Sequence, residues 1–324
     1  MRVPDDVIVK RLEVDADSHG FRLDRFIQRS IPRLSRSRIH RILHEVRIDG
    51  VPADKPSRRV YAGSVVEIHR PAPREPEVPR HFEVLHDDAW MLAIDKPSGL
   101  PMHTTARFYR NTLTALLRER YPGEPLQLAH RIDKETSGAL LVARGPHAKA
   151  RIQRAFLAGA VDKRYLAIVR GTPPEGEISV PLRLDPRSRT RVRMQVVASG
   201  TPGALTACTA LRVVERVGEL SLIECRLIAS GRQHQIRVHL AHLGCALVGD
   251  KLYGPPGEDA LFMQLCDLER EGREAEARVI AAERLGLGRH ALHASLLGLP
   301  HPGSGAWIEI HAPLPADLRG LLGR

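Results

Sequence analysis

Residues 71–80, PAPREPEVPR, hold four prolines in ten positions and constrain the fold more than any other stretch of the chain. Proline fixes φ and lacks an amide hydrogen, so neither a helix nor a central strand can run through this segment. Its prolines and alternating charges favour a stiff, extended spacer. The sequence therefore predicts an N-terminal extension over 1–20, a small domain over 21–70, a linker over 71–80 and a larger domain over 81–324.

The small domain carries a concentrated positive charge. The whole chain has 49 Lys and Arg against 38 Asp and Glu, a net charge of +11. Twelve of the basic residues and five of the acids lie within residues 21–70, a net charge of +7 in under a sixth of the length. An excess of this size favours a polyanion as partner, and the alternative is a solvated basic face.

Apolar residues in the same domain recur at three- and four-residue spacing, which predicts two short amphipathic helices. Ser35 is expected to cap the second helix. Two strands are predicted around an Asp-Gly turn, in VRIDGVPAD and SVVEIH. Six arginines on the helix faces could follow a phosphate backbone: Arg25, Arg29, Arg33, Arg36, Arg38 and Arg41.

This domain resembles the alpha-L RNA-binding module that is named for a small-subunit ribosomal protein. The resemblance rests on its RLDxFI start, its SRSxI second helix and its VxIDGxxA strand, and it covers residues 21–70. It implies a small α/β domain that binds RNA, with Arg25, Arg36 and Arg38 among the contacts.

From about Phe82 onward, strand-like runs outnumber helical segments. The runs are WMLAIDK, ALLVAR, RYLAIVRG, TACTALRVVER, LSLIECRLI and AWIEIHAP. Many β runs with few helices between them favour an α+β domain with a mostly antiparallel sheet. The charged segment 258–289 is predicted to be helical and to form a solvated surface excursion.

The cysteines and the apolar runs bear on the compartment. Cys208, Cys225, Cys245 and Cys266 lie far apart, without a CxxC pair, which predicts reduced thiols and a cytoplasmic protein. No apolar run approaches the roughly 20 residues that a membrane span needs. We expect no membrane partner, and a monomer.

Asp133 is the acid that draws attention in this basic chain. It lies between Arg131 and Lys134 in LQLAHRIDKETSGALLVAR, residues 126–144, where the flanking runs leave ETSG as a turn at the end of a sheet. Both cations would favour the ionised carboxylate if the side chains converge, and an ionised acid can serve as nucleophile or base. The alternative is that Asp133 is an acidic turn residue in a surface ion pair. The chemistry of the residues alone favours this alternative.

Metal and nucleotide chemistry find little support in the residues. The segment SGRQHQIRVHLAHLG contains His234, His239 and His242, but the spacing is not HExxH and no acid lies within it, so zinc is a minor alternative. The chain has no GxxxxGK[ST] loop and no GxGxxG loop. We expect no metal, no nucleotide cofactor and no other cofactor.

HRIDKETSG, residues 130–138, closely resembles the HRLDxxTSG signature of the large-subunit ribosomal type of RNA pseudouridine synthases. One further family motif precedes it, IDKPSGLPMH at 94–103, and three follow it: KRYLAIVRG at 163–171, SGRQHQIRVHLAHLGCALVGDKLYG at 230–254 and LHASLLGLPHP at 292–302. The resemblance spans the whole chain. It implies a catalytic domain of the pseudouridine synthase type that isomerises uridine to pseudouridine in structured RNA without a cofactor.

The resemblance also implies roles for individual residues. Asp133 would be the catalytic aspartate, and Arg237 would pair with it, keep it ionised and fix its orientation through a planar two-point fork. Tyr165 would pack against the target base and help remove the final carbon-bound proton. Arg131 would fill the gap that the flipped uridine leaves in the RNA. The other substrate-binding residues of this domain would be His130, Thr136 and Gln235.

Several alternatives stay open. Large-subunit ribosomal RNA is the favoured substrate, and transfer RNA is the alternative. A competing interpretation is a non-catalytic ribosomal RNA-binding assembly factor, although a pure binder has no need for Asp133, Tyr165 and Arg237 together. A metal-assisted hydrolase is disfavoured because the chain lacks acid-rich ligand sets. The target uridine is not evident from the sequence, because RNA shape is recognised by scattered surface residues.

Overall fold

The polypeptide divides into two units, Met1–Arg74 and Glu75–Arg324. The computed structural model describes residues 7–32, 34–71, 75–105, 108–228, 231–254 and 258–323. Arg33, one of the six arginines expected on the basic helix faces, lies outside the described residues, as do residues 72–74 of the proline-rich segment.

The first unit contains a four-stranded antiparallel sheet and two helices. Its elements are β1 (Val7–Glu13), α1 (Leu23–Ser30), α2 (Arg36–Arg41), β2 (Val46–Ile48), β3 (Val51–Pro52) and β4 (Val65–Pro71). The strand order is β1-β4-β2-β3. Strand β1 precedes residue 21, so the sheet also includes residues that the sequence alone assigns to an N-terminal extension.

Local sequence signals account for this unit. Phe26 and Ile27 of α1 and Ile39 of α2 are buried in one apolar cluster, as their helical spacing predicts. The predicted N-cap is confirmed, because the Ser35 hydroxyl accepts the amide of Arg38 at 3.3 Å. The predicted turn between β2 and β3 is also confirmed: both of its residues have positive φ, as a two-residue type I′ hairpin requires, and they are Asp49 (49°) and Gly50 (82°).

The second unit is built on a ten-stranded sheet. Its strands, with the separate β11–β12 pair, are β5 (Glu83–Asp87), β6 (Met91–Lys96), β7 (Leu126–Leu128), β8 (Ser137–Arg144), β9 (Asp162–Arg170), β10 (Gly176–Ile178), β11 (Leu182–Leu184), β12 (Met194–Val196), β13 (Thr209–Val217), β14 (Leu220–Leu227), β15 (Leu292–Pro300) and β16 (Trp307–His311). Its helices are α3 (Leu113–Arg120), α4 (Gly145–Leu157), α5 (Gln235–His242), α6 (Glu258–Arg270), α7 (Glu274–Leu285) and α8 (Ala316–Leu321).

The strand order is β10-β13-β14-β9-β15-β8-β6-β5, with β16 beside β15 and β7 beside β8. Between the described strands the pairing is antiparallel except for a short parallel contact between β8 and β15. The six strand-like runs correspond to β6, β8, β9, β13, β14 and β16. The predicted α+β class with a mostly antiparallel sheet is therefore confirmed.

The central strand β8 is apolar along its length because both faces of the sheet are covered. Leu140 and Val142 pack in the cluster that contains residues of α3 and α5, whereas Leu141 packs in the cluster that contains Ile152 of α4. Successive side chains of a strand point to opposite faces, so a doubly covered strand needs a continuous apolar run rather than an alternating one. This explains ALLVA after the polar HRIDKETSG motif.

The charged segment near the C-terminus is helical, as predicted, and forms α6 and α7. The expectation that it is only a solvated excursion is wrong. Leu261, Leu265 and Leu268 of α6 pack against Ala277 and Ala281 of α7 in a cluster of their own. In addition, Leu265 and its neighbours line a cavity that reaches Asp133. Intervening charged residues conceal this apolar face in the sequence.

The sequence predicts neither disulfide cross-links nor membrane spans. The four cysteines have free thiols, and three of them are buried: Cys208, Cys225 and Cys245. Within the described parts of the chain, no helix has the length and apolarity needed to cross a bilayer.

Gly138 lies where β8 meets β15. Its φ is +113°, a region that side chains with a Cβ rarely adopt. A Cβ placed on it would lie 2.2 Å from the carbonyl oxygen of Ala294. Both the backbone conformation and the close approach of the two strands therefore require glycine at the end of the HRIDKETSG motif.

We expect Gly138→Ala to lower the free energy of unfolding by at least about 3 kcal/mol, because backbone strain and overlap with β15 add together. Denaturant unfolding measures the loss. Gly123→Ala is the matched control, since Gly123 also has positive φ (+82°) but nothing lies within 4 Å of its Cβ position. The control should lose only about 1 kcal/mol. Equal losses in the two variants would contradict the tight packing of β8 on β15.

Candidate active site

The loop between β7 and β8, residues 129–136, carries Asp133. Lys96, at the end of β6, has a fully buried ammonium that donates to the carbonyl oxygen of Lys134 in this loop at 3.0 Å. It also donates to the carbonyl oxygens of Pro97 and Leu100, which follow β6, at 2.8 and 3.0 Å. Burial lowers the pKa of Lys96 to about 7. Lys96 is not among the site residues predicted from the sequence, although a lysine that ends the buried strand MLAIDK is a signal that could have found it.

Arg237 of α5 contacts Asp133 directly. Its Nη1 donates to Oδ2 of Asp133 at 3.0 Å, and the Asp133 side chain is 21% exposed. Burial acts to raise the pKa of Asp133, but the Arg237 charge and hydrogen bond, together with His234 and His290, outweigh it, and the pKa lies below its ordinary value. The structure therefore brings together the predicted pair, and Asp133 is ionised at neutral pH.

The two-point fork of Arg237 does not engage Asp133, contrary to expectation. It engages Asp250, with Nε donating to Oδ2 at 2.8 Å and Nη2 donating to Oδ1 at 2.9 Å. Asp250 is buried, and its Oδ1 also accepts the amides of Leu252 and Tyr253. Burial acts to lower the pKa of Arg237, but Asp250 and Asp133 raise it overall. One edge of the guanidinium is thus occupied by Asp250, and Nη1, which lies outside that edge, donates to Asp133.

Asp250 is a site residue that sequence reasoning missed. It lies in the segment VGDKLYG, which resembles the family, but nothing in the segment indicates that an arginine of α5 is its partner. The signal that could have found it is a lone acid after the apolar run ALVG, since buried acids need a cationic or amide partner.

His234, the residue that precedes α5, also faces the carboxylate. Its Nε2 lies 3.7 Å from Oδ2 of Asp133, and its Nδ1 lies 2.7 Å from the Tyr253 hydroxyl. The same hydroxyl accepts the amide of Met194 at 2.8 Å. Burial lowers the pKa of His234 to about 4, so the imidazole is neutral at neutral pH.

The histidines of α5 do not form a zinc site with His234. Nδ1 of His239 is 2.9 Å from the Thr209 hydroxyl, and its Nε2 is 3.2 Å from the Val180 carbonyl oxygen. The side chain at 242 is exposed. The three histidines therefore do not face a common point at which a zinc ion could bind, and the zinc alternative loses its support.

Among the described residues, one group of three possible metal ligands lies close together: His86, Asp88 and His301. The Nε2 atoms of the two histidines are 2.7 and 2.8 Å from Oδ2 of Asp88. Nδ1 of His301 accepts the amides of Gly303 and Ser304, so the proton of the neutral ring lies on Nε2 and is donated to Asp88. A protonated nitrogen is no metal ligand, and the group is a hydrogen-bonded cluster.

A cavity of about 320 Å³ opens beside Asp133 and Tyr165. Its other walls are largely apolar: Ala129, Ile132, Phe156, Leu227, Ile236 and Leu292. Tyr165, on β9, is 8% exposed, and burial raises its pKa, so the phenol is neutral. A carboxylate at the rim of an apolar cavity can act on a flat, uncharged ring that enters it.

The two cations that flank Asp133 in the sequence do not converge on it, so the condition for their direct effect on its charge is not met. Lys134 lies 3.9 Å from Glu269 of α6. Arg131 is exposed and makes no ion pair within the described residues. Arg131 instead lines both the cavity beside Tyr165 and a second cavity of about 550 Å³ next to α6.

Three other predicted substrate-binding residues lie at the site but make internal hydrogen bonds. The His130 Nε2 accepts the Leu141 amide at 3.0 Å, the Thr136 hydroxyl bonds Nε2 of His290 at 2.8 Å, and the Gln235 amide group donates to the Cys208 carbonyl and the Thr209 hydroxyl at 3.0 Å. Thr136 and Gln235 are buried. These bonds hold the loop and the start of α5, and contact with substrate stays a prediction.

The predicted RNA contacts of the first unit lie on the surface of its helices. Arg36 and Arg38 of α2 are exposed and have no acidic partner among the described residues. Arg25 of α1 is also exposed, and its guanidinium lies over the Phe21 ring at 4.7 Å. All three are available to a ligand in solution.

Comparison with known proteins identifies the class. The family model described as RNA pseudouridylate synthase matches residues 91–242. An uncharacterised RNA pseudouridine synthase of Chloroflexus aurantiacus is 38% identical over 313 residues, which cover 93% of this chain and 89% of that protein. The ribosomal large subunit pseudouridine synthase D of Zymomonas mobilis is 32% identical over 93% of this chain and 92% of that protein.

Solved structures agree. The human RNA pseudouridylate synthase domain containing 1 is 26% identical, with a TM-score of 0.55 over 74% of this chain and 86% of that chain. The human RNA pseudouridylate synthase domain containing 4 is 27% identical, with a TM-score of 0.55 over 74% of this chain and 91% of that chain. The chain belongs to the RNA pseudouridylate synthase family. It is an RNA pseudouridine synthase, an isomerase whose substrate is RNA.

The Arg237 contact predicts how the pKa of Asp133 responds to mutation. We expect Arg237→Met to raise that pKa, because burial and the nearby Asp250 charge both oppose ionisation once the guanidinium is gone. The measurement is a carboxyl-carbon NMR titration, assigned by comparison with Asp133→Asn. An unchanged pKa would show that Arg237 does not set the ionisation of Asp133.

The stability of the same variant needs a control. Arg237→Met leaves Asp250 buried without a cation and should lower the free energy of unfolding by about 3–5 kcal/mol. Adding Asp250→Leu removes the uncompensated charge and should restore most of that loss. The double variant should still show a raised pKa of Asp133, but less so than the single variant.

Proposed function

We propose that Asp133 is the catalytic aspartate of uridine isomerisation in large-subunit ribosomal RNA. The observation that carries the proposal is an ionised carboxylate, paired with the buried Arg237, at the rim of an apolar cavity that also holds Tyr165. A turn acid in a surface ion pair would have an exposed partner, whereas Arg237 is 8% exposed. Functional groups with a shifted pKa are often found in such buried charge pairs.

The isomerisation needs no external oxidant, reductant or co-substrate. In the isomerisation the bond between N1 and C1′ of uridine breaks, a bond between C5 and C1′ forms, and a proton leaves C5 while N1 gains one. Atoms and electrons balance within the nucleotide. Asp133 would start the reaction by attacking the uridine or by abstracting a proton, and either step requires the ionised form that Arg237 maintains.

Tyr165 would pack against the target uracil in the apolar cavity. Burial raises the pKa of Tyr165, which keeps the phenol protonated, so no phenolate oxygen is available to accept the C5 proton. Its position therefore supports a packing role more strongly than removal of the C5 proton, the second role that the family resemblance implies. An uncharged ring is well matched to the apolar walls around it.

Arg131 would fill the gap that the flipped uridine leaves in the RNA. An enzyme that acts on a base must first take it out of the stack, and a side chain that occupies the gap lowers the cost. Arg131 suits this role because it is exposed, lies at the mouth of the cavity and has no ion pair to give up within the described residues.

The names of relatives support ribosomal RNA over transfer RNA. The relatives of Zymomonas mobilis and Haemophilus ducreyi, 32% and 33% identical, are both named ribosomal large subunit pseudouridine synthase D. The basic first unit would serve as an RNA-binding module of the alpha-L type. Its exposed arginines would contact phosphates and add affinity without selecting the uridine.

Replacing Asp133 with Asn should reduce pseudouridine formation at least about 1,000-fold, because the variant keeps the shape of the side chain but lacks its charge. RNA affinity should change little, since Asp133 is one contact among many. The measurement is pseudouridine mapping in large-subunit ribosomal and transfer RNA, with a single-turnover rate on the modified RNA. Asp267→Asn on the exposed face of α6 is the control and should retain activity. Full activity of Asp133→Asn would refute the assignment, and modification confined to transfer RNA would refute the substrate.

Binding by the first unit should depend on salt through its unpaired arginines. Each phosphate that the protein no longer neutralises removes roughly 0.7–0.9 from the slope of log affinity against log salt concentration, so Arg36→Gln with Arg38→Gln should flatten the slope measurably. The control pair carries the same charge change at arginines that are bound to acids: Arg11 to Glu67 at 2.8 Å and Arg22 to Asp24 at 2.9 Å. Equal changes in both pairs would mean that net charge alone acts.

A further inference from the structure

The backbone of His234 is in an unusual conformation. Its φ is 57° and its ψ is 16°, the left-handed region, immediately before α5. This conformation is uncommon for a residue with a Cβ, although histidine is among the types that adopt it more often. It turns the side chain toward Asp133, and only 11% of that side chain is exposed. Local strain of this kind at an active site suggests a function for the residue that bears it.

The partners of Tyr253 define the tautomer of His234. The Tyr253 hydroxyl accepts the Met194 amide at 2.8 Å, which leaves its own O–H free to donate. The acceptor within reach is Nδ1 of His234, at 2.7 Å. A neutral imidazole carries one proton, so when Nδ1 accepts, the proton lies on Nε2. Nε2 is the atom that faces Asp133.

Both groups that approach the Asp133 carboxylate do so at one oxygen. Nη1 of Arg237 is 3.0 Å from Oδ2, and Nε2 of His234 is 3.7 Å from the same atom. Within the described residues, Oδ1 accepts no hydrogen bond. The His234 contact is longer than a hydrogen bond, and such contacts in ligand-free active sites often tighten when substrate binds.

We propose that His234 is a positioning residue for Asp133: oriented by Tyr253, it directs an N–H at Oδ2 and so presents Oδ1 to the uridine. Arg237 supplies charge and one hydrogen bond, which leaves the carboxylate free to rotate about that single contact. A second donor on the same oxygen removes this freedom. The inference rests on the proposed function, because it assumes that Asp133 is the reacting group.

Two substitutions at His234 separate the effect of its hydrogen-bond donor from the effect of its side-chain size. His234→Leu fills similar space without a donor and should lower the single-turnover rate at saturating RNA about 10-fold, with the dissociation constant for RNA within about twofold of the parent. His234→Gln places an amide N–H near the position of Nε2 and should recover most of the rate. His242→Gln, on the exposed end of the same helix, is the control for the substitution and should match the parent.

Tyr253→Phe tests whether the hydroxyl acts through His234. Alone, it should slow the single-turnover rate a few-fold, because the imidazole loses the bond that fixes its tautomer. In the His234→Leu background the same change should have almost no further effect on the rate. Residues that act through one another show this non-additivity, whereas independent structural effects add.

The outcomes distinguish this inference from the proposed function. The positioning role is supported if His234→Leu lowers the single-turnover rate, His234→Gln recovers most of it, and Tyr253→Phe has no further effect in the His234→Leu background. Parent-like rates for His234→Leu, or equal losses for Leu and Gln, overturn it and leave Asp133 as the catalytic residue. Loss of RNA affinity rather than rate in His234→Leu also overturns it, because His234 would then bind substrate. Activity in Asp133→Asn overturns the proposed function itself.

Discussion

The buried guanidinium of Arg237 is the charge on which the rest of the site depends. Removing an arginine from water is expensive unless its donors are paired, and here two carboxylates pair with it. Asp250 takes the Nε and Nη2 edge, and Nη1 donates one hydrogen bond to Asp133. This unequal division fixes the guanidinium rigidly on one side and leaves the Asp133 carboxylate ionised but only partly held. Under the proposed function, this arrangement leaves Oδ1 of Asp133, which accepts no hydrogen bond within the described residues, available to the substrate.

The loop that carries Asp133 is held by residues that do not face the cavity. Lys96 holds it through the carbonyl oxygen of Lys134, and Glu135 forms an ion pair with Lys251. Gly138 allows β8 to approach β15 so closely that a methyl group would overlap the neighbouring backbone. Much of the HRIDKETSG motif therefore builds the loop. The motif is informative about function because this loop geometry is what presents Asp133 at the cavity.

Features that depend on neighbours in the chain were predicted well. The Ser35 cap, the Asp49–Gly50 turn and the strands β6, β8, β9, β13, β14 and β16 follow from hydrogen-bonding side chains, from φ preferences and from apolar runs. Features that depend on distant partners were not. Arg131 and Lys134 adjoin Asp133 in sequence but do not pair with it, and the fork of Arg237 goes to Asp250. The apolar face of α6 and α7 was concealed by the charges between its members.

The sequence by itself determined the class of protein, because five motifs in one order along the chain specify a pseudouridine synthase, and it selected Asp133, Tyr165 and Arg237. Only the tertiary structure decided which atoms meet. Asp133 and Arg237 are 104 residues apart, and their contact exists because the β7–β8 loop and α5 are brought together by the sheet. The charge of a carboxylate depends on the distance to each neighbouring charge and on burial, and both are properties of the folded molecule. A sequence contains the groups, whereas the fold sets the distances that give them their chemistry.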